Sequence, residues 1–504
     1  MSILYIARSD LAGVLRLDDI DRTLDPDSTG KNGKQCWTCS YPVPTAQSQN
    51  ALTNRLMLGM FSDYQGEKGD NGQLGLWVSY DLFQLQSNYT GFIQTSQLLE
   101  RVGGRGDLIG QQNHTFTLGL TGRYRAPSFH VFPWLQGKIE LGVDGRVDEI
   151  NQGQNLLDAT VRNQVWDRTV DATINSADLG VWGDLDLSIW EPLKVRVGFR
   201  SDLLSFNVND RLSNFPPLTR PQNNFIPGYR RSAMGLAVGP RASIEWQVNQ
   251  DLTALIAYGE GYRSPQARTL EDGESAPFSK VHSADLGLRY QKDRVLELTL
   301  GGYATYLSDD IAFEASEGRL ERIGATQRYG AVFHVLSRPF TWLIGTLSAT
   351  YVNATLLEPP PATAEEPQPF FVEGQQLPFV PPLVIRADIG TQNTLLNHLA
   401  GSPLRLSTGV GVSHLSPRPL PFDERSAAVS LLDVSTTLSW GIFELSFELY
   451  NALDLQYAAL EYSYPSDWQP NDGLRPRTPA RHISAGAPRI WMISLGISGM
   501  GGAQ

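Results

Sequence analysis

The sequence is poor in the residues that build metal sites and disulfide scaffolds: 504 positions hold two cysteines and seven histidines. So little cysteine excludes a disulfide-built fold, and histidines scattered without HxxxH or HExxH spacing leave no local metal motif. No segment reaches the roughly 18 apolar residues that a transmembrane helix needs. Basic clusters are absent too. The 41 Lys and Arg stand against 53 Asp and Glu, a formal charge of −12, so no nucleic-acid partner is expected. No paired carboxylates, Ser/His/Asp set or nucleophile elbow can be assembled from sequence neighbours, so neither an enzyme nor a cofactor is expected. The opening MSILYIARSDLAGVL shows no basic n-region, apolar h-region or small-residue cleavage site, so no signal peptide is expected.

What is present is alternation. In LELTLGGYATYL, Leu296, Leu298 and Leu300 share one phase while Glu297 and Thr299 share the other. FELSFELY sets Phe443, Leu445, Phe447 and Leu449 against Glu444, Ser446 and Glu448, and KVRVGFR sets Val195, Val197 and Phe199 against Lys194, Arg196 and Arg200. Period-2 patterning of this kind specifies strands with one apolar and one polar face. It predicts an all-β chain of about eighteen strands, near 3–8, 53–63, 72–83, 113–125, 137–150, 177–190, 193–207, 234–248, 251–263, 280–290, 294–308, 327–337, 340–353, 382–392, 404–415, 429–440, 442–452 and 488–498. Most exceed the usual strand length of about 5 to 6 residues and match the roughly 9 to 11 that cross a bilayer.

The connections alternate between short and long. Glu191-Pro192, Asn249-Gln250, residues 291–293, Arg338-Pro339 and Gly441 are short, whereas 9–52, 84–112, 151–176, 208–233, 354–381 and 453–487 are long. Short turns at one rim and long loops at the other describe an antiparallel outer-membrane β-barrel with extracellular loops. Trp134, Trp190, Trp246, Trp342 and Trp440 lie in or beside the short connections, where amphipathic indoles would form a girdle at the periplasmic rim.

Several stretches carry a resemblance. AYGEGYRSPQA (257–267), ERIGATQRYGAVFHV (321–335), LPFVPPLVIRADI (377–389), LYNALDLQY (449–457) and GAPRIWMISLGIS (486–498) resemble, in order, segments of the TonB-dependent outer-membrane receptor barrel. Asn451, Leu453, Asp454 and Tyr457 match the penultimate-strand signature, while Ile323 stands where the family more often has Asn. The resemblance covers the C-terminal half; the N-terminal half shares mainly the alternation. It implies a Gram-negative outer-membrane location, surrounding outer-membrane lipid and a monomer. It also implies a small-molecule nutrient ligand such as a ferric siderophore, cobalamin or oligosaccharide. The TonB–ExbB–ExbD complex would act through a plug domain. Barrels of this class have 22 strands; with eighteen read here and no plug or TonB box, residues 1–504 read as one barrel domain truncated at its N-terminus. The alternatives are a passive 18-stranded porin, a non-functional receptor fragment, or a soluble β-rich protein that binds or hydrolyses polysaccharide.

Candidate residues follow from this frame. Cys36 and Cys39 flank Trp37 with redox-motif spacing, but no βαβ setting or helix N-terminus lies near to activate a thiol. A small loop disulfide in an oxidising exterior is the leading expectation, ahead of a zinc half-site and of redox catalysis. DPDSTG (25–30) starts like a calcium loop, yet position twelve is Cys36 and not the bidentate Glu, so no metal site is expected. The loop aromatics Trp37, Tyr41, Trp166, Tyr229, Phe370, Phe371, Tyr462, Tyr464 and Trp468 are candidates for ligand contact, with ordinary loop packing as the alternative. Arg196, Arg200, Asp202, Arg241, Asp285, Arg289, Arg386, Asp388, Glu444 and Glu448 are expected to face the lumen, where a solvated wall is the plainer reading than a path for solute or plug.

Overall fold

The computed structural model describes residues 2–11, 13–20, 37, 40–41, 43–93, 105–212, 229–264, 273–314, 318–359, 371–468 and 478–497. Cys36, Cys39, the 25–30 stretch and Phe370 lie outside them, as does the Tyr229 side chain. In chain order the strands begin β1 (Ser2–Asp10), β2 (Leu15–Arg16), β3 (Asn50–Gln65), β4 (Asn71–Ser87), β5 (Leu108–Arg125), β6 (Phe129–Phe132) and β7 (Leu135–Asp158). They continue as β8 (Gln164–Ile189), β9 (Leu193–Asp210), β10 (Tyr229–Gln247), β11 (Leu252–Arg263), β12 (Ser279–Lys292), β13 (Leu296–Glu314), β14 (Arg319–Phe340) and β15 (Leu343–Glu358). The last are β16 (Leu383–Leu399), β17 (Ser402–Leu415), β18 (Val429–Trp440), β19 (Phe443–Tyr450), β20 (Ala458–Tyr464), β21 (Ala480–Ala485) and β22 (Ile490–Ile497). Two single-turn helices, α1 (Leu17–Ile20) and α2 (Pro44–Gln47), sit in the first loop. No helix among the described residues is long and apolar enough to cross a membrane.

Eighteen long strands form one antiparallel sheet, running β1–β3–β4–β5–β7–β8–β9–β10 and then stepwise to β19 and β22, with β6 adding a short pairing to β7. Each of the eighteen segments expected from alternation overlaps one of these strands. Among the described residues no ladder joins β1 to β22. A second, three-stranded sheet, β2–β21–β20, forms inside the long loops.

The two faces of the large sheet differ as the alternation requires. Leu56, Leu58 and Met60 on β3, Leu118 on β5, Leu141 on β7, Leu179 and Val181 on β8, and Val197 and Phe199 on β9 are all exposed on one face. A continuous apolar band of this size far exceeds what a water-soluble surface carries and is suited to lipid. At the short-turn rim, Trp134, Trp190, Trp246 and Trp342 are exposed, with Trp134 stacked on Phe132 at 5.4 Å and Trp342 on Phe340 at 5.5 Å. Several of the short turns use the left-handed region, among them those at Trp190 (φ 54°), Asp293 (φ 51°) and Gly441 (φ 57°).

Residues 151–176, expected as a long loop, are a continuation of β7 and β8 closed by a tight turn in which Arg162 and Asn163 have positive φ. The pattern changes phase there. Above the apolar band the outward positions are Asn151, Asn175 and Asn207, while Val170, Ile174, Phe206 and Val208 are buried on the other face. Trp166 is therefore a strand residue, and Tyr229 starts β10 rather than lying in a loop.

Candidate functional site

Two long loops, between β1 and β3 and between β19 and β22, build a compact cap at the long-loop rim. β2 pairs with β21 through Leu15–Ile483 and Arg16–His482, and β20 pairs with β21 through Tyr462–His482 and Tyr464–Ala480. Leu15, Ile20, Tyr41, Ala46, Ala458, Trp468 and Ile483 form its core, with Trp37 packed against it. Tyr41 stacks on Trp468 at 4.4 Å with the ring planes 7° apart. Both are buried, so these rings spend their faces on each other.

Several polar groups inside the cap are paired. The Tyr41 hydroxyl donates to Asp19 Oδ2 at 2.7 Å and accepts from Arg16 N–H at 3.1 Å. Burial, reinforced by Asp19, raises the Tyr41 pKa so that it stays a phenol. His482 is fully buried and stacked on Tyr464 at 3.9 Å. Its Nδ1 bonds the Ala480 carbonyl at 2.9 Å, so Nδ1 carries the proton and Nε2 accepts from Ser466 Oγ at 2.6 Å. Burial pushes the His482 pKa down to about 3, which keeps the ring neutral.

Beside this core the loops bring together a second aromatic group. Tyr89 lies 5.5 Å from Phe313 and 6.4 Å from Tyr462 and Tyr464, and Phe379 lies 5.6 Å from Tyr462. Burial raises the pKa values of Tyr89, Tyr462 and Tyr464, and Arg418 sits close enough to oppose the shift at Tyr462. Among the described residues the buried Tyr464 hydroxyl and Trp468 Nε1 have no hydrogen-bond partner. Such orphaned atoms cost free energy unless another group satisfies them.

The polar face of the sheet below carries linked ion pairs. Asp184 receives Arg196 Nη2 at 2.9 Å and Arg241 Nε at 2.8 Å, and Arg200 reaches Asp144 at 2.6 Å and Asp202 at 2.7 Å. Across the sheet Arg386 joins Asp388 at 2.8 Å to Asp433 at 3.1 Å, and Tyr450 donates to Glu448 at 2.7 Å. These groups line a depression of about 420 Å³ floored by Gly390, Gly409 and Gly411. A Cβ at Gly411 would stand 2.1 Å from Arg386 Nη2, so a larger residue there would displace the guanidinium from its present position. Arg289 pairs with Glu297 at 2.9 Å, and Asp285 and Glu444 are exposed on this same face.

All ten residues expected on the polar face thus lie opposite the apolar band. Of the loop aromatics, Trp37, Tyr41, Tyr462, Tyr464 and Trp468 converge in the cap. Trp166 lies under the Arg105 guanidinium at 5.3 Å, and Phe371 packs on Ile323, Leu356 and Leu377. Sequence reading missed Asp19, Tyr89, Phe313, Phe379, Arg418, Ser466 and His482. Turn parity places their loops at one rim, but which loops touch depends on three-dimensional folding.

The geometry has known counterparts. The family model described as TonB dependent receptor-like, beta-barrel, matches residues 9–452. The chain belongs to this family. Among solved structures, the unliganded ferric citrate transporter FecA aligns with TM-score 0.70 at 13% identity, over 98% of this chain and 66% of that one. The ferric-catecholate import receptor Fiu from E. coli K12 gives 0.71 at 11% identity, over 98% and 71%. The ferric yersiniabactin uptake receptor FyuA from Yersinia pestis gives 0.65 at 13% identity, over 98% and 67%. This TonB-dependent receptor barrel spans about two thirds of the length of those structures. A comparison with curated proteins gives no match.

Proposed function

We propose that the protein is the barrel of a Gram-negative outer-membrane receptor that takes up a small nutrient complex, such as a ferric siderophore, with energy from TonB. Coupling to the TonB–ExbB–ExbD complex would run through a plug domain of the kind the family combines with this barrel. The observation that carries the reading is the convergence of Tyr89, Phe313, Tyr462 and Tyr464 at the extracellular rim, beside Arg418 and above the charged wall. Aromatic faces next to a guanidinium suit a flat, electron-rich or anionic ligand. The test is titration of the purified, detergent-folded chain with ferric citrate, a ferric catecholate and cobalamin, followed by tryptophan fluorescence. One probe is expected to bind, and Tyr462→Ala is expected to weaken it at least tenfold; no change with any probe would sink the receptor reading.

A second reading, a passive pore, draws on the exposure of Asp285, Arg289 and Glu444 on the polar face. It predicts stable ohmic conductance of the purified chain in a planar bilayer, unaffected by the Tyr462 substitution.

A further inference from the structure

The outward face of the longest strands changes character at one level. Leu118, Val147 and Ala177 are consecutive cross-strand partners on β5, β7 and β8 and belong to the apolar band. Two residues higher, the partners are Tyr80, Phe116, Glu149, Asn175 and Asn207, on β4, β5, β7, β8 and β9, and all five are exposed. The next row up carries His114, Asn151, Thr173 and Asn209. Tyr80 and His114 Nδ1 bond at 3.1 Å and Thr173 donates to Asn151 at 2.9 Å, whereas the side chains of Glu149, Asn175 and Asn207 have no partner among the described residues. Neighbouring strands lie about 4.8 Å apart. A free carboxylate and two free amides therefore stand in one row beside two exposed rings.

Strand propensity does not select these residues. Asn is depleted in strands, and Thr at the same water-facing positions would favour the fold. Choices against local propensity concentrate at functional positions. Carboxylate and amide groups exchange hydrogen bonds with hydroxyls, and a ring face receives the C–H face of a pyranose, so the row complements a saccharide. Height identifies which saccharide. On β7 the polar outward face runs from Glu149 to Asn155, about 20 Å of strand and about 15 Å of height at a tilt of about 40°. A phospholipid headgroup layer is about 5–8 Å deep on each side of a bilayer, so only a headgroup built of several sugars follows the wall that far. Strands of this length are confined to one side of the sheet: β7 and β8 have 24 and 26 residues, whereas β18 and β19 have 12 and 8. The row begins where the apolar band ends, so its occupant is the head of a lipid whose chains lie on that band.

We propose that this row is a binding surface for the oligosaccharide headgroup of the outer-leaflet glycolipid, one sugar stacking on Phe116 while its neighbours bond Glu149, Asn175 and Asn207. The proposal rests on the outer-membrane reading. Its test is native mass spectrometry of the full chain, reconstituted in vesicles and then extracted in mild detergent. The vesicles hold equal amounts of two lipopolysaccharides with the same lipid A, one bearing a complete core oligosaccharide and one truncated to the innermost acidic sugars. Heat-modifiable gel migration verifies insertion separately. Wild type is expected to retain the core-bearing form at least tenfold over the truncated one, and the triple variant Glu149→Ala, Asn175→Ala, Asn207→Ala to bring that ratio to about one. Phe116→Ala is expected to lower it severalfold. Should the triple variant fail to insert, Asn175→Thr with Asn207→Thr, which removes both amides and improves strand propensity, decides the matter by the same ratio. A ratio near one in wild type, or a ratio that the variants leave unchanged, overturns the surface and leaves the outer-membrane reading standing. Free core oligosaccharide that displaces the glycolipid at equal concentration makes a soluble glycan the occupant and overturns the glycolipid assignment. A wild type that never inserts overturns the outer-membrane reading as well.

Discussion

The lower and upper halves of β7–β9 are built from the same strands but face different solvents. In the lower half Leu141, Leu179, Val181, Val197 and Phe199 point outward and are exposed, while Arg196 pairs with Asp184 and Arg200 with Asp144 on the other face. In the upper half the outward positions are Asn151, Asn175 and Asn207, and Ile174, Leu204, Phe206 and Val208 are buried inside. The inversion occurs near Ala177 and Ser205 without any break in the ladder. Hydrogen bonding therefore sets the strand, and the surrounding medium sets which face is apolar. Below, lipid solvates the apolar side chains; above, water does not, and the loops must cover them.

The largest test of this contrast is removal of an upper-half core side chain. Phe206 packs with Leu204, Ala233 and Ala237, against Tyr262 and Phe278. Phe206→Ala is expected to destabilise the upper wall by about 3–5 kcal/mol, the cost of a large buried aromatic and its cavity. Hydrogen exchange should accelerate in the upper parts of β9 and β10 and remain unchanged below. Uniform acceleration along both strands would show that the two halves are one cooperative unit.

A second test exchanges the media. Arginine on a lipid-facing strand costs about 2–4 kcal/mol at the bilayer midplane and close to nothing above the interface. Phe199→Arg is therefore expected to weaken folding into vesicles by about that amount, whereas Asn207→Arg, eight residues on and on the same face, should stay within about 0.5 kcal/mol of wild type. Urea titration of both variants in lipid vesicles measures the pair. Equal costs would place the interface elsewhere.

The same contrast explains what could be read from the sequence. Each transmembrane strand was legible because lipid and lumen demand alternation over most of its length, as in Leu296–Leu298–Leu300 or Phe443–Leu445–Phe447. The extensions of β7 and β8 were not, because Asn and Thr outward with apolar residues inward read as loop when an outward apolar face is expected. Charged positions such as Arg196 and Arg386 could be assigned to a face by parity alone, but their partners lie on other strands, Asp184 on the next one and Asp433 two strands away, and depend on register. The cap was the least legible region. Tyr41 meets Trp468 across more than four hundred residues, and nothing local in either segment specifies the other. Read separately, Tyr41, Tyr464 and Trp468 looked like free loop aromatics, whereas the structure buries all three.

The smallest effect concerns acid, and it separates the cap from the band beneath it. His482 is neutral in the folded cap, its pKa depressed by burial to about 3, while an unfolded histidine titrates near 6.5. The unfolded form thus binds the extra proton first as pH falls. Stability from this group is complete above about pH 6.5, then declines by at most about 1.4 kcal/mol per pH unit until the folded pKa is reached. At pH 5.5 the loss is of the order of 1 kcal/mol, enough to raise the open fraction of the cap several-fold. Hydrogen exchange at β20 and β21 should accelerate between pH 6.5 and 5.5, after correction for intrinsic rates, while β3–β5 should not respond. His482→Gln removes the titrating group and keeps a side chain able to bond Ser466 and the Ala480 carbonyl. That variant should flatten the pH response of the cap; a response that persists in it would place the acid sensitivity on another group and leave His482 with packing alone.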